Sequence, residues 1–500
     1  MSCSVERYPG DEVGIYAHGD LAIGSVTFDQ GVAVEVYREG AFVPVSARPT
    51  SLIEGRASYV RATWDVPEDW EAREIAAVLE IVQVGGEATS EVRRRWIEGP
   101  GDLRYPEGAF DWFVPGELMT PGSSWRVGFY EVEGARIDLL PPPAHVIPRT
   151  RGPTGVKIGR HEIELLVVPI DHQFSGPMDC EGPPQFDASR IAELYDYLAR
   201  INPVDNVVIN VRDTPLEWTE SAGSLSKILD ALSELREADG APPYVYYYGA
   251  IDPCDWGSTA GFAGLARVPD EPTRAYAWKR VAVGDMRRPG HPSNETFVHE
   301  IGHTQGRRHV PCKGTEGNPV DDYPVELGKT GSYGFDHFRW ALHPPSHADY
   351  MSYCDPTWVG AYGWNQVMPV IEKLTNWKEQ DGATNDVGDG HTLMISLYPD
   401  GTSRWWVRRG PPTRAATMQA AWKTDGGELV HRALTVHQST GETTHLEVPL
   451  DDARQIPRQL TLSAVGGDSD PTVSVGLHGR TLVAPDALLA TVPPSRYSTI

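Results

Sequence analysis

The residues with the clearest chemical meaning lie at 299–309 and read HEIGHTQGRRH. His299 and His303 are four positions apart, and on a helix that spacing sets both imidazoles on one face, one turn above the other. Two neutral imidazoles so placed can grip one Zn²⁺ at roughly 2.0–2.1 Å each. Glu300 follows the first of them, so its carboxylate reaches a water on the metal rather than the metal itself. Gly306 can end the helix, because a left-handed residue there costs glycine nothing. The chain then turns back and brings His309 to the same ion. Three protein nitrogens leave a fourth position for water, as a catalytic zinc site does and a structural one does not. HExxH alone also occurs as a solvated helix face carrying two histidines; a glycine and a third histidine in register are much rarer by accident.

The extended motif resembles the metzincin signature HExxHxxGxxH. That family has a second element downstream, a tight turn holding a Met beneath the metal, and DYMSYC at 349–354 supplies Met351. The resemblance implies a zinc metalloendopeptidase that uses one catalytic Zn²⁺. It makes His299, His303 and His309 the metal ligands, Glu300 the general base and Met351 a packed floor under the imidazoles. Tyr353 stands where the serralysin and astacin branches have a Tyr that approaches the metal or the reacting carbonyl, so it is implied to steady the oxyanion. The stretch 311–364 looks like a bacterial branch of secreted metzincins that carry β-sandwich modules, a neighbourhood that includes the mucin-cleaving zinc proteases. The implied substrate is therefore a protein or glycoprotein, its identity and the role of glycans being left open. Residues 355–360 are implied to line the pocket for the side chain after the cut bond. Trp358 there is either pocket wall or core.

The elements that must position these residues can be read upstream. Ile163 to Ile170 is a continuous apolar run, as a buried strand would be. Asp187 can cap a helix with Ile191, Leu194, Tyr195 and Leu198 on its apolar face. Val207 to Val211 is a second strand, and Leu225, Ile228, Leu229, Leu232 and Leu235 make a second amphipathic helix. Tyr244 to Ala250, residues 261–268 and Tyr276 to Val283 are further strands, followed by the zinc helix with Ser293 or Asn294 as its cap. This order is that of a metzincin N-terminal subdomain, and the resemblance covers about 160–378. It implies that the fourth strand is an antiparallel edge above the cleft. Gly261, Phe262, Ala263, Gly264 and Leu265 would there accept a peptide as an added strand, with the two glycines allowing close backbone approach; a plain turn-rich segment is the other reading. Cys312 and Cys354 both flank the metal site in such a fold and are expected to form a disulfide. Cys180 and Cys254, in Pro/Asp-rich loops, are candidates for a second.

Around this unit the composition changes. Residues 1–150 hold short apolar runs spaced by Gly, Pro and Asp, which suggests a sandwich, and 141–155 reads as a Pro/Gly-rich linker. A helix from Trp364 to about Trp377 is expected to close the central unit, and 379–390 is a second polar linker. Residues 391–500 alternate again and read as another sandwich. The expected architecture is thus multidomain: an α+β metzincin-like peptidase domain at 156–378, flanked by β-sandwich domains at 1–150 and 391–500. The flanking domains are expected to position substrate rather than to build the site.

Bulk properties agree. A length of 500 residues suggests about three domains. Gly 50 and Pro 42 are high together and favour turn-rich β modules. A formal net charge of −25 argues against nucleic acid and anionic lipid as partners. No apolar run reaches the ~20 residues of a transmembrane helix. The oligomeric state is open, with a monomer favoured. The start MSCSVERYPG lacks the apolar core of a signal peptide. Cys3 fits the first residue of a lipoprotein whose signal has been removed, or an incidental cysteine. Four paired cysteines and one left over suit an oxidising compartment, and so a secreted or cell-surface protein. Glu316, Asn318, Asp321 and Asp322 offer oxygens to Ca²⁺, although the loop lacks the spacing of a known calcium loop and also reads as simply solvated. His337, His343 and His347 lack ligand spacing and read as surface or packing residues. Two other functions remain: a glycan- or protein-binding surface module with a non-catalytic zinc site, and a zinc-stabilised structural protein. Retention of Glu300 beside all three histidines speaks against a vestigial site.

Overall fold

The structure is a computed structural model. It describes residues 19–86, 88–132, 146–175, 180–223, 225–254, 263–287, 290–313, 319–381, 390–424, 427–438, 443–451, 459–464 and 473–476, with Ala17, Gly317, Ile456 and Pro457. The expected strand at 12–17 and Cys3 lie outside them, apart from Ala17.

The central unit grows from one strand, Glu162–His172 (β1), whose Ile163, Leu165, Val167, Val168 and Ile170 are all fully buried. The chain continues through Ala188–Ile201 (α1), Asn206–Val211 (β2), Leu216–Trp218 (β3), Leu225–Ala238 (α2), Val245–Ile251 (β4), Gly264–Ala266 (β5), Val281–Asp285 (β6) and His291–Thr304 (α3). The sheet order is β2-β1-β4-β6-β5, and β3 also pairs with β1. All pairings are parallel except β5 with β6. A continuous apolar run such as β1 is the mark of a strand covered on both faces in a parallel sheet. The edge strand β5 runs antiparallel, as expected for the fourth strand, but it is confined to Gly264–Ala266; Gly261 and Phe262 lie outside the described residues.

Asp187 caps α1, its carboxylate accepting from Arg190 N at 2.8 Å. The cap expected for α3 is corrected. That helix begins at His291 with Gly290 at the N-cap, so Ser293 and Asn294 lie inside its first turn. Gly290 takes φ 114°, a conformation open to glycine, and Pro292 is tolerated where no intrahelical N–H bond is due. Ala361–Asp381 (α4) covers the expected closing helix and lays Trp364, Val367, Ile371 and Leu374 into the same core as β1 and β4.

The N-terminal strands form two antiparallel sheets. One carries Ala22–Asp29, Ser58–Asp65 and Phe110–Val114; the other carries Arg73–Val82, Ala88–Ile97 and Ser124–Glu131. Ile75, Ala77, Leu79 and Ile81 alternate into the core opposite Val26, Phe28, Val60 and Trp112. The expected linker at 141–155 is corrected in part: Val146–Pro153 is an edge strand of the second sheet. Its prolines, Pro148 and Pro153, are tolerable there because an edge strand need not donate along its whole length. Seven antiparallel strands between His391 and Gly476 form the C-terminal unit. Leu429–Gln438 pairs first with Met418–Lys423 and then with Thr444–Leu450, and so joins the two halves. Among the described residues no helix is long and apolar enough to cross a membrane.

Both flanking units make buried polar contacts with the centre. Arg56 of the N-terminal unit donates to Ala199 O at 2.7 Å and to Asn202 O and Val204 O at 2.9 Å. It thereby satisfies two carbonyls at the end of α1 and one, that of Val204, just beyond it. On the other side, buried Asp230 of α2 pairs with Arg267 and accepts from Tyr398 OH at 2.5 Å. Arg267 in turn donates to His445 Nε2 at 2.9 Å. Strand Ser403–Arg409 of the C-terminal unit packs against α2.

Candidate metal centre

Helix α3 carries His299, Glu300 and His303, and the turn after it delivers His309. Gly306 takes φ 89°. Its N–H donates to His303 O at 2.8 Å, while Arg307 N donates to Gly302 O at 3.1 Å. This pair of bonds is the left-handed helix stop expected of a glycine at that position. The same turn aims the Arg307 carbonyl at His303 Nδ1, 2.7 Å away.

Each of the three imidazoles is oriented by a backbone carbonyl. His299 Nδ1 meets Tyr350 O at 2.9 Å, and His309 Nδ1 meets Gly317 O at 2.6 Å. A carbonyl only accepts, so in all three rings the proton sits on Nδ1 and the Nε2 lone pair is left over. One ring nitrogen from each histidine falls within 4.8 Å of the others, and His303 Nε2 lies 3.2 Å from His309 Nε2. Two lone pairs facing each other at that distance repel unless a cation lies between them. Burial pushes the His299 pKa down to about 4, helped by His309, and holds His303 well below its usual value, so both rings stay neutral and fit to ligate. The donor set therefore suits a divalent transition metal. Among the described residues this is the one group of three or more His, Cys, Asp or Glu side chains gathered so closely.

The 349–354 turn packs beneath the helix. Met351 is fully buried; a Cβ on Gly302 would come 2.5 Å from its Sδ and 3.0 Å from the Tyr350 ring. Glycine inside the HEIGH segment is thus a matter of space. Val310 N donates to Met351 O at 2.9 Å and ties the segment carrying the third histidine to the turn. Buried Asp349 accepts from Met351 N at 2.9 Å and pairs with Arg307 at 3.1 Å, which locks the turn to the helix end. The sequence reading missed Gly302, Arg307 and Asp349. Their signal was their place inside or beside the motif, but polar residues next to a motif look the same whether they face solvent or a buried partner.

Glu300 is buried, and burial pushes its carboxyl up to about 8; a cation close by acts in the opposite direction. It lines a cleft of about 370 Å³ with Gly264 of the edge strand, Ala263 just before it, and Tyr350, Ser352 and Trp358 from the segment after the helix. Gly264 is close-packed, but against side chains of α3: a Cβ there would lie 2.8 Å from Glu300 Oε1. Tyr353 is 45% exposed, and its hydroxyl oxygen lies 3.1 Å from His309 Nε2. Trp358 is both core and cleft wall, at 2% exposure with one edge on the cleft.

The two expected disulfides are present: Cys312–Cys354, with Cα atoms 6.2 Å apart, and Cys180–Cys254, at 5.0 Å. His343 stacks on Trp358 at 3.7 Å and its Nδ1 lies 3.1 Å from His347 Nδ1, a packing role as expected. Of the calcium candidates, Glu316 and Asn318 lie outside the described residues, and Asp321 and Asp322 are exposed.

The N-terminal unit, expected to position substrate rather than to build the site, also touches the cleft wall. Trp358 Nε1 donates to Gly31 O of the N-terminal unit at 2.7 Å.

No family model matches the chain, and no curated protein matches it. Among solved structures it is aligned with a calcium-binding mutant of Bacteroides uniformis β-glucuronidase 2, at 11% identity and a TM-score of 0.13. That alignment covers 91% of this chain and 60% of that one. A score of that size demonstrates no common fold and carries no argument about function.

Proposed function

We propose that the chain is a metzincin-like zinc-dependent endopeptidase acting on protein or glycoprotein substrates. The observation that carries the reading is the convergence of three Nδ1-anchored imidazoles, one of which, His299, lines a cleft together with the buried carboxylate of Glu300. His299, His303 and His309 would hold the ion. Bound zinc supplies Lewis acidity, polarising the scissile carbonyl and bringing the pKa of water toward neutral.

The chain's own residues do the rest. The antiparallel edge β5 offers main-chain groups to an extended peptide. Glu300 takes a proton from water as its oxygen attacks the carbonyl carbon, and passes that proton to the amine as the C–N bond breaks. The Tyr353 hydroxyl, on the rim of the same cleft, donates to the carbonyl oxygen as negative charge gathers there. Two disulfides suit an oxidising, extracellular setting.

The test separates binding from turnover. Glu300→Gln keeps the side-chain shape and removes the base, so zinc content should stay while turnover falls about 10²–10⁴-fold. Tyr353→Phe should lose less, up to about 10²–10³-fold, on kcat more than KM. A peptide hydroxamate should still bind both variants. Full activity in Glu300→Gln would sink the hydrolytic mechanism. Zinc bound without turnover in the wild type would favour a binding module with a non-catalytic zinc site.

A further inference from the structure

A turn of the N-terminal unit reaches the cleft. Strand Ala22–Asp29 passes into Ala33–Arg38 through Gln30, Gly31 and Val32. Asp29 is fully buried, and its Oδ1 accepts from Gly31 N at 2.8 Å. Gly31 has φ 118°, and a Cβ on it would lie 2.9 Å from Arg200 O and 3.0 Å from the Trp364 ring. Glycine is needed here on both counts, conformation and space. The turn is held from its other side as well: Arg56 Nε donates to Gln30 O at 2.6 Å while the same guanidinium closes the end of α1.

The carbonyl of Gly31 points at the cleft wall and accepts the indole N–H of Trp358 at 2.7 Å. One face of that indole stacks on His343, with ring planes 7° apart. Arg200, whose own carbonyl abuts Gly31, lines the same cleft together with Ile201. An indole N–H in a buried place is costly to leave without an acceptor, so the ring resists turning away from Gly31. Two hydrogen bonds thus run in series from a carboxylate in the sandwich to a side chain in the cleft wall.

We infer that the Asp29–Gly31 turn is a positioning element of the cleft. By holding Trp358 through the Gly31 carbonyl, it sets the size of substrate side chain accepted beside the histidine triad. The N-terminal sandwich is then part of the specificity apparatus. The substrate arm of this inference rests on the peptidase reading; the hold on Trp358 does not.

The experiment uses the full chain with Asp29→Leu, Asp29→Asn, Gly31→Ala and Trp358→Phe. The indole resonance of Trp358 in ¹⁵N-tryptophan-labelled protein is identified by its loss in Trp358→Phe. It should shift in Asp29→Leu and Gly31→Ala, and exchange of its proton should quicken about tenfold or more, with zinc content unchanged. Asp29→Asn, whose amide oxygen still accepts the Gly31 N–H, should leave the resonance in place. Gly31→Ala forces a Cβ into a left-handed position, so Asp29→Leu, which keeps the side-chain size and removes the acceptor, carries the test if the alanine variant does not fold. An unmoved indole resonance in Asp29→Leu overturns the inference. Two peptides differing only in the residue after the cut bond, Phe or Ala, read the specificity. The Phe-to-Ala ratio of kcat/KM should change about tenfold in Asp29→Leu, through KM. An equal loss on both peptides, as partial unfolding gives, overturns the specificity role. If the wild type cleaves neither peptide, the peptidase reading falls, and the indole resonance still decides whether the turn holds Trp358.

Discussion

Gly264 and Glu300 approach so closely that no side chain fits between the edge strand and the helix: a Cβ at 264 would lie 2.7 Å from Glu300 Cγ and 2.8 Å from its Oε1. The third near neighbour is Thr296 Cγ2, also at 2.8 Å and one turn earlier on the helix. A methyl group there must move the carboxylate or lift the strand. Gly264→Ala is expected to leave zinc content unchanged, because the ligands are anchored elsewhere. Its kcat should fall by about 10²-fold, the scale of a catalytic group misplaced by about an ångström. Metal analysis with single-turnover rates checks this, and an unchanged kcat would mean that the strand rather than the carboxylate gives way.

The bond from His303 Nδ1 to Arg307 O exists because Gly306 turns the chain left-handed between them. Gly306→Ala keeps every ligand and strains the turn by roughly 1–2 kcal/mol. Loss of a partner behind a ligating histidine typically weakens metal binding about 10–100-fold. Zinc affinity by chelator competition should therefore fall in Gly306→Ala by about that factor, and further in His309→Ala, which removes a ligand outright. Unaltered affinity in His309→Ala would remove His309 from the ligand set.

These two sites show what the sequence made legible. Helix spacing places His299 and His303 on one face whatever surrounds them, and a glycine that stops a helix is recognisable locally, so the triad could be read directly. The apolar run of β1 and the faces of α1 and α2 were legible for the same reason: burial writes a period into the residues. Strand Ala88–Ile97 was not, because it carries Arg93, Arg94 and Arg95 in succession and shows no apolar alternation. Gly264 was noticed, yet its neighbour proved to be Glu300 on another element, and no local pattern encodes that meeting. The bond from Trp358 to Gly31 spans 327 positions and joins two units, so it was invisible until both were placed.

The Cys312–Cys354 bridge encloses a sequence separation of 42 residues that includes the long polar loop after His309. Closing a loop of that length in the unfolded chain is worth about 4 kcal/mol in the chain-entropy description. The bridge also abuts Tyr353 on one side and lies three residues from His309 on the other. The double variant Cys312→Ser with Cys354→Ser should lose about 2–4 kcal/mol of stability by denaturant unfolding. At temperatures where it remains folded, it should lose activity through Tyr353 and zinc affinity through His309. Unreduced peptide mapping should show both linked pairs. Finding the four thiols free in protein made under oxidising conditions would reject the pairings.

Asp29 makes the stability of the N-terminal junction depend on pH. It is fully buried, and burial pushes its carboxyl from 3.8 up to about 7, opposed by the Gly31 and Phe335 N–H groups and by Arg61 and Arg56. The folded chain therefore holds a proton at Asp29 in a range where the unfolded chain has released it. Stability falls as pH rises wherever the folded state binds more protons, so the loss runs from about pH 4 to about pH 7 and is complete above that. Its slope is at most about 1.4 kcal/mol per pH unit for one group. Asp29→Asn cannot titrate and should lack this component. Other groups contribute equally to both proteins, so the difference in unfolding free energy between wild type and Asp29→Asn isolates it. Urea unfolding at a series of pH values from 4.5 to 8 should show the wild type losing ground steadily to the variant until about neutral pH, and then running parallel to it. A difference that stays constant across that range would mean that Asp29 is ionised throughout, held so by Arg61 and Arg56.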